Sequence, residues 1–147
     1  LLNGDGQGGF SPEFGHRSGI RVLGEQRGCA TGDLNADGRP DLIVCQNEGT
    51  AAAFENVAGT PGLRVHLQGP TGNPHGISAM MQAVYRNGAT GPAVELHAGS
   101  GRYSQDSAIA ILGNASQIKA VKVRWPGGRE TRTTVSAAEN REIRVQF

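Results

Sequence analysis

The sequence predicts an all-β protein, and three observations support that class. The chain of 147 residues contains 23 glycines and 7 prolines, which predicts many tight turns between short elements. Segments such as residues 63–68 and 93–98 alternate apolar with polar side chains, and this is the period of a half-buried strand. Residues that favour helices, such as Leu and Lys, are sparse. Residues 77–85 would also suit a helix, but the surrounding strands and the flanking glycines favour a strand there.

The charge distribution divides the chain into two units. Residues 1–60 carry four Arg against eight Asp or Glu, a net charge of −4, whereas residues 61–147 carry ten Lys or Arg against five Asp or Glu, a net charge of +5. Between them, residues 58–62 read Ala-Gly-Thr-Pro-Gly, which is typical of a linker. The basic unit lacks a dense Lys/Arg stripe with interleaved aromatic residues, so nucleic-acid binding is not expected. No apolar run is long enough to cross a membrane, so no membrane span is expected.

The N-terminal unit is expected to form a small sheet of about four short strands. Residues 1–10 have apolar ends and a glycine-rich centre, which predicts a tight hairpin. Further strand candidates lie at residues 20–23, 28–30, 42–45 and 51–54.

The most distinctive stretch of this unit is the loop 33–41, Asp-Leu-Asn-Ala-Asp-Gly-Arg-Pro-Asp. Oxygen-bearing side chains stand at its positions 1, 3, 5 and 9, and alternate side chains of a tight loop can converge on Ca²⁺. Glycine at position 6 permits a sharp turn. Three carboxylates within nine residues repel one another unless a cation neutralises them. The predicted calcium ligands are Asp33, Asn35, Asp37, Arg39 and Asp41.

The loop 33–41 does not follow the EF-hand pattern. Val44 stands at position 12, where that motif requires a glutamate, and no helical period flanks the loop. The apolar residues 42–44 predict a buried strand instead, so the loop is expected to join two strands. A solvated turn without metal is the alternative interpretation.

Cys29 and Cys45 lie symmetrically about Asp37 in the sequence. If the loop joins an antiparallel pair, the two cysteines are expected to face each other within disulfide reach. The alternative is that each is a small buried apolar residue in its own strand.

The C-terminal unit is expected to be an antiparallel β-sandwich or small barrel of about six strands. Val121, Val123 and Trp125 alternate with basic residues, so Trp125 is expected in the core rather than on the surface. Asn87-Gly88 is a hairpin signal. Strand candidates lie at residues 63–68, 77–85, 93–98, 108–112, 121–125, 132–135 and 143–147.

A polar, glycine-hinged loop at residues 99–107 is the second candidate site. Hydroxyl, amide, carboxylate and guanidinium groups there could bind sugar hydroxyls, with a tyrosine as a stacking face. The alternative is a structured turn whose polar groups satisfy one another. The candidate ligand residues are Ser100, Arg102, Tyr103, Ser104, Gln105 and Asp106.

Catalysis is not expected from the sequence. No Gly-x-Ser-x-Gly segment is present, and Ala98-Gly99-Ser100-Gly101 lacks the first glycine of that motif. The four histidines are dispersed and show no zinc-ligand spacing. The paired carboxylates are concentrated in the predicted metal loop, where a cation would neutralise them.

Two parts of the chain resemble known families. Residues 27–44, together with Asn3-Gly4-Asp5-Gly6 and Gly9-Phe10, resemble the FG-GAP/VCBS repeat. That resemblance covers roughly residues 1–60 and implies one blade of a β-propeller with calcium in the Asp-rich loop. Because a single repeat cannot close a propeller, it also implies neighbouring blades or a partner chain that covers the unit.

Residues 99–107, followed by Val121-Lys122-Val123-Arg124-Trp125-Pro126-Gly127-Gly128, resemble the ASPIC/UnbV domain over about residues 61–147. That domain commonly follows FG-GAP/VCBS repeats in secreted proteins. The sequence departs from the family at Leu112-Gly113-Asn114 and at Ile77-Ser78-Ala79. The two resemblances together imply an extracellular or periplasmic protein.

The expected function is therefore a secreted, calcium-stabilised, non-catalytic module for adhesion, assembly, or carbohydrate or protein contact. The sequence starts at Leu1, which suggests that it is a piece of a longer, processed chain. The alternative is an extracellular hydrolase or lyase whose catalytic groups lie in other blades.

Overall fold

A computed structural model describes residues 1–136 and 141–147, and its secondary structure is 41% strand and 5% helix, which confirms the all-β prediction. The described elements are, in chain order, β1 (Leu2–Gly4), β2 (Phe10–Pro12), α1 (Gly15–Ser18), β3 (Gln26–Gly32), β4 (Asp41–Gln46), β5 (Ala52–Phe54), β6 (Leu63–Gln68), β7 (Met80–Tyr85), β8 (Val94–Glu95), β9 (Ala110–Leu112), a 3₁₀ helix (Ala115–Gln117), β10 (Ile118–Arg124), β11 (Glu130–Thr134) and β12 (Glu142–Gln146). Among these described residues, no helix has the length and apolar character needed to cross a membrane.

The N-terminal unit consists of a hairpin and a separate three-stranded sheet. Strands β1 and β2 pair antiparallel, as the glycine-rich centre of residues 1–10 predicts. The Asp5 carboxylate closes this hairpin by accepting hydrogen bonds from the Gln7 and Gly9 N–H groups. The sheet has the order β3-β4-β5 and is antiparallel throughout. The expected strand at residues 20–23 is wrong, because these residues form no regular element, and the short helix α1 precedes them.

The C-terminal unit has two sheets that enclose one hydrophobic core. One sheet has the order β11-β10-β7-β8 and the other β12-β6-β9. Most of the inward residues predicted from alternation are buried, because each β-strand directs every second side chain to the same face. Val94 is only partly buried, and Phe147 is exposed. The buried cluster comprises Leu63, Val65, Leu67, Ala79, Met81, Ala83, Leu96, Ala110, Leu112, Ala115, Ile118, Val121, Val123, Trp125, Val135, Ile143 and Val145.

One pairing in this unit differs from the antiparallel prediction. The last strand, β12, pairs with β6 in parallel, with Ile143 opposite Val65 and Val145 opposite Leu67. Parallel pairing requires a long connection between the strands rather than a hairpin, and here the other strands of the unit form that connection. Alternation of side chains places residues on a face but does not encode strand direction, so the sequence pattern could not distinguish the two pairings.

The expected facing cysteine pair is wrong. Gly32 pairs with Asp41 at the end of the loop, and this register places Cys29 opposite Val44 and Cys45 opposite Gly28. Because neighbouring residues of a strand point to opposite faces, the one-residue offset directs the two sulfur atoms away from each other. Both cysteines are free thiols and both are exposed, so neither is a buried apolar residue.

The hydrophobic core belongs almost entirely to the C-terminal unit. Its cluster runs from Leu63 to Val145 and includes no residue before Leu63. Val44 is the one buried apolar side chain of residues 1–60. This unit instead exposes large apolar side chains, namely Leu1, Leu2, Phe10, Phe14, Leu23, Leu34 and Val57.

Candidate functional site

The loop 33–41 connects β3 to β4 and lies against the linker to the second unit. Gly38, at position 6, has a φ of +85°, which confirms the sharp turn expected there. Its carbonyl accepts a hydrogen bond of 2.8 Å from the Gly62 N–H group. A Cβ atom at Gly38 would lie 2.8 Å from the Gly62 carbonyl oxygen. Glycine is therefore required both for the turn and for this close approach.

The predicted ligand side chains bind the backbone of their own unit. Asp33 accepts hydrogen bonds from the N–H groups of Asp37 (3.0 Å) and Gly38 (2.8 Å). Asp41, which is 3% exposed, accepts one from Leu34 (2.8 Å) and one from Asn56 (2.8 Å). These contacts resemble Asx turns, in which a short polar side chain caps nearby N–H groups.

Side chains in the middle of the loop 33–41 also form hydrogen bonds with groups of their own unit. The Asn35 side-chain oxygen accepts from the Asp37 N–H group, and its amide nitrogen donates to Asp37 and to Glu55. The Asp37 carboxylate accepts from the Arg39 N–H group at 2.8 Å and forms an ion pair with the Arg39 guanidinium. Arg39 also donates through Nε to the Asn56 carbonyl oxygen at 2.5 Å.

A cationic side chain from the second unit also contacts the loop. Arg64 of β6 forms an ion pair of 2.5 Å between Nη1 and the Asp33 Oδ2 atom. Its Nε donates to Glu142 of β12 at 3.0 Å, and Glu142 lies 3.2 Å from the His66 Nε2 atom. Arg64 therefore joins the loop of the first unit to two strands of the second.

The protonation of these groups reflects their pairing. Burial raises the pKa of Asp33, but donation from Arg64, Gly38 and Asp37 outweighs it and holds that pKa below its usual value. Burial likewise lowers the pKa of Arg64, and its two carboxylate partners reverse this and raise it. The hydrogen bond from Arg64 is the main cause of the lowered pKa of Glu142.

The contacts of the loop 33–41 do not fit a divalent cation as they stand. No group of three His, Cys, Asp or Glu side chains lies close enough to hold a metal ion anywhere in residues 1–136 and 141–147. Each carboxylate of the loop already accepts backbone or guanidinium hydrogen bonds. The calcium ion remains a prediction from the spacing of the loop residues.

The second candidate site, residues 99–107, lies on strand β3. The Ser107 N–H group donates to the Thr31 carbonyl oxygen at 2.9 Å, and the Thr31 N–H group donates to Asp106 Oδ1 at 2.6 Å. Ser100 accepts from the Asp106 N–H group at 2.7 Å. A Cβ atom at Gly28 would lie 2.9 Å from the Arg102 carbonyl oxygen. The loop therefore covers the outer edge of β3, using the Asp106 side chain in place of a paired strand.

The carboxylate of Asp106 is held in its charged form by this contact. Burial raises the pKa of Asp106, but hydrogen bonds from the Thr31 N–H and hydroxyl groups and from Ser100 outweigh it and lower the pKa. Stabilisation of the anion through donated hydrogen bonds is the expected result for a carboxylate that accepts several of them.

The other candidate residues of this loop do not share one surface. Tyr103 is 86% exposed and has a φ of +56°, and the Arg102 guanidinium lies 5.4 Å from its ring centroid. The Ser104 hydroxyl oxygen is buried and has no hydrogen-bond partner among the residues that the structure describes, and Gln105 is exposed. The predicted ligand set is therefore divided between an exposed turn and a partly buried contact with β3.

A shallow cleft of about 220 Å³ lies where the two units meet. Its apolar wall includes Leu96 and Ile109, and its polar rim includes His97, Ser100 and Asp106. This volume is below the roughly 300–1,000 Å³ of typical drug-sized ligand pockets, so the cleft suits only a small ligand.

Sequence reasoning missed Arg64 and Thr31, which join the units. Alternation placed Arg64 on the outward face of β6, and Arg64 indeed lies outside the hydrophobic core of the C-terminal unit. Arg64 is nevertheless only 8% exposed, because the loop 33–41 covers the outward face. The sequence does show a single charged residue between Leu63 and Val65. Its role becomes clear only when its partner in the tertiary structure is known.

Comparison with known proteins identifies the family of the second unit. The family described as ASPIC and UnbV matches residues 69–146, which is slightly more than half of the chain. No curated protein matches the chain. The matched segment includes the loop on β3 and six of the seven described strands around the core, β7 to β12. The chain therefore belongs to the ASPIC and UnbV family.

Proposed function

We propose that this protein is a non-catalytic binding or scaffold module that acts outside the cytoplasm. One observation carries the proposal: both polar loops that the sequence marks as candidate sites are used to hold the N-terminal sheet against the C-terminal unit. Groups already bound to each other are poorly available as catalysts, since a catalytic acid or base must reach a substrate atom. The extracellular or periplasmic location rests on the two family resemblances.

The N-terminal unit offers the surface for a protein partner. Its apolar side chains, including Phe10 and Phe14, are exposed, and exposed apolar surface is a common mark of protein interaction sites. Strand β5 forms the other edge of the sheet, and its outer side has no hydrogen-bonded strand among the described residues. The resemblance to the FG-GAP/VCBS repeat suggests that the partner is a set of similar blades, in the same chain or another.

Calcium at the loop 33–41 is the alternative to closure by the chain's own side chains, and residue spacing alone supports it. The ligands would be the side chains of Asp33, Asn35, Asp37 and Asp41 and the backbone carbonyl oxygen of Arg39, and the ion would neutralise the carboxylates of the loop. Titration calorimetry of the whole chain with CaCl₂ tests it: a saturable heat that Asp37→Ala removes supports the ion.

Carbohydrate contact is a second candidate function, favoured by the cleft between the units. Its apolar wall and its rim of hydroxyl, imidazole and carboxylate groups could accommodate one sugar ring. An extracellular hydrolase or lyase is the rival class, and it would require catalytic groups from outside the described residues.

Two parallel measurements on the whole chain separate these functions. A glycan array and an array of extracellular matrix and cell-envelope proteins are probed with the wild type and with Phe10→Ser/Phe14→Ser. We expect protein binding that the double variant loses, while its melting temperature changes little because both side chains are exposed. Turnover in a hydrolase and lyase screen without any binding on either array would contradict the scaffold proposal.

A further inference from the structure

Arg64 is a charged residue of β6 that lies between two core side chains. Its neighbours Leu63 and Val65 are fully buried, and Arg64 itself is only 8% exposed. A guanidinium removed from water is costly unless carboxylates pair with it and satisfy its N–H groups. The carboxylates of Asp33 and Glu142 pair with the Arg64 guanidinium and accept hydrogen bonds from its N–H groups, at 2.5 Å and 3.0 Å.

The Asp33 side chain is more deeply buried than that of Arg64, with 1% of its surface exposed. Its Oδ2 atom accepts from both Arg64 and the Gly38 N–H group, and its Oδ1 atom accepts from Asp37. A carboxylate buried to this degree requires a positive charge nearby. The Arg64 guanidinium of the C-terminal unit provides this charge. It contacts Asp33, which is position 1 of the loop and a predicted metal ligand.

We propose that the Arg64 guanidinium serves as the built-in cation of the loop 33–41 and thereby fastens the N-terminal sheet to the C-terminal unit. Loop closure then depends on a residue of the second unit rather than on a bound divalent ion. The geometry agrees with the absence of a three-residue metal-ligand group in the described residues. The lowered pKa of Asp33 and the raised pKa of Arg64 are consistent with the pairing.

The main experiment compares amide hydrogen exchange in the wild type, Arg64→Met and Arg144→Met. Methionine retains most of the apolar stem of arginine and removes the charge. Arg144, on β12 and exposed, is the matched control. In Arg64→Met we expect the Asp37 and Gly38 amides to exchange on the order of 100-fold faster, because one partner of a buried ion pair has been removed. Unchanged exchange at these amides in Arg64→Met would overturn the proposal.

A double-mutant cycle with Asp33→Asn isolates the ion pair from the packing of Arg64. Asparagine keeps an oxygen that can accept from the Gly38 N–H group and removes the charge. We expect the effects of Arg64→Met and Asp33→Asn on the melting temperature to be non-additive, since each variant breaks the same pair. Additive effects would contradict a shared role. If Arg64→Met does not fold, Asp33→Asn alone must still accelerate exchange at Gly38, whose acceptor oxygen asparagine retains.

Calcium dependence distinguishes the built-in cation from a bound ion. The melting temperature of the wild type is measured in EDTA and in about 5 mM CaCl₂, a concentration above the roughly 0.1–1 mM dissociation constants of extracellular calcium modules. We expect the two melting temperatures to coincide. A wild type that CaCl₂ stabilises, with the gain lost in Asp37→Ala, would overturn the proposal and support the calcium site.

Discussion

At the level of single residues, a one-residue offset in strand register prevents Cys29 and Cys45 from forming a disulfide. Cys29 and Cys45 occupy adjacent rungs of the β3–β4 ladder, so their side chains lie on opposite faces of the sheet. A disulfide requires the two Cβ atoms to face each other at about 3.5–4.5 Å. The symmetric spacing about Asp37 is therefore misleading, because the register is centred between Ala36 and Asp37.

Both thiols are expected to react with a disulfide reagent in the folded state. Cys29 and Cys45 are exposed and unbonded, and thiol reactivity follows exposure as well as thiolate content. Titration with Ellman's reagent in the absence of denaturant should detect two thiols per chain, and Cys29→Ser and Cys45→Ser should each remove one. Detection of two thiols only after reduction would indicate a disulfide instead.

Carboxylates at the junction between the units make the stability of the fold depend on pH. The pKa values of Asp33, Asp106 and Glu142 lie below their usual values in the folded chain. Their stabilisation is therefore fully present above the unfolded-state pKa values, which are about 4. It is lost as the pH falls through the lower folded-state values, because the folded state then takes up protons and its charged hydrogen bonds disappear.

The acid effect is measured by the melting temperature between pH 7 and pH 3. We expect little change down to about pH 5 and a progressive decrease below it. Asp106→Asn should make the decrease shallower, because the amide oxygen can still accept from the Thr31 N–H group but no longer titrates. A melting temperature that rises on acidification would contradict the pairing of these carboxylates.

At the element scale, the loop 99–107 acts as a cover for the edge of β3. Unpaired strand edges invite pairing with other chains, and folded proteins commonly cover them with loops or charged residues. Here the Ser107 N–H group donates to the Thr31 carbonyl oxygen and the Asp106 carboxylate accepts from the Thr31 N–H group, so both backbone polar groups of Thr31 are satisfied. Glycine on β3 is required because the loop backbone approaches Gly28 too closely for a side chain.

Gly28→Ala is expected to weaken the contact between this loop and β3. The added Cβ atom would lie 2.9 Å from the Arg102 carbonyl oxygen, so the loop must move away. Overpacking of this kind typically costs about 1–3 kcal/mol. Urea denaturation should detect the loss, together with faster exchange of the Thr31 and Ser107 amides.

The control for this prediction is Gly72→Ala. No atom lies within 4 Å of the position of its Cβ, and Gly72 does not have a positive φ. Its stability should equal that of the wild type within about 0.5 kcal/mol, as for most surface substitutions. Equal stability of Gly28→Ala and Gly72→Ala would show that the loop tolerates a side chain on β3.

At the scale of the whole molecule, the two units differ in how much apolar surface they bury. The C-terminal unit has one continuous core built from two sheets, whereas residues 1–60 contribute one buried apolar side chain. Hydrophobic burial is the main term that offsets the conformational entropy lost on folding. The N-terminal unit therefore depends on Arg64, Asp106 and other contacts from its neighbour.

This difference predicts unequal behaviour of the isolated units. The fragment 61–147 should fold alone, with a cooperative thermal transition and near-ultraviolet circular dichroism from buried Trp125. The fragment 1–60 should show no cooperative transition, because it lacks a core of its own. A cooperative transition of isolated 1–60 would contradict the dependence of this unit on the second one.

Much of the fold follows from local sequence patterns. Alternation identified β6 and β10 and placed Val65, Val123 and Trp125 in the core, because the two-residue period of a strand is a local property. Glycine at position 38 identified the turn between β3 and β4 for the same reason. The family of the second unit also follows from the sequence, as the match over residues 69–146 confirms.

The all-β class, the inward faces of the main strands and the ASPIC and UnbV family can all be inferred from the amino-acid sequence. Which polar groups meet depends on how the two units pack. Arg64 and Asp33 are separated by 31 positions, and Asp106 and Thr31 by 75, yet each pair forms a direct contact. Local periodicity assigns a side chain to a face, but only the packing of the two units determines what covers that face.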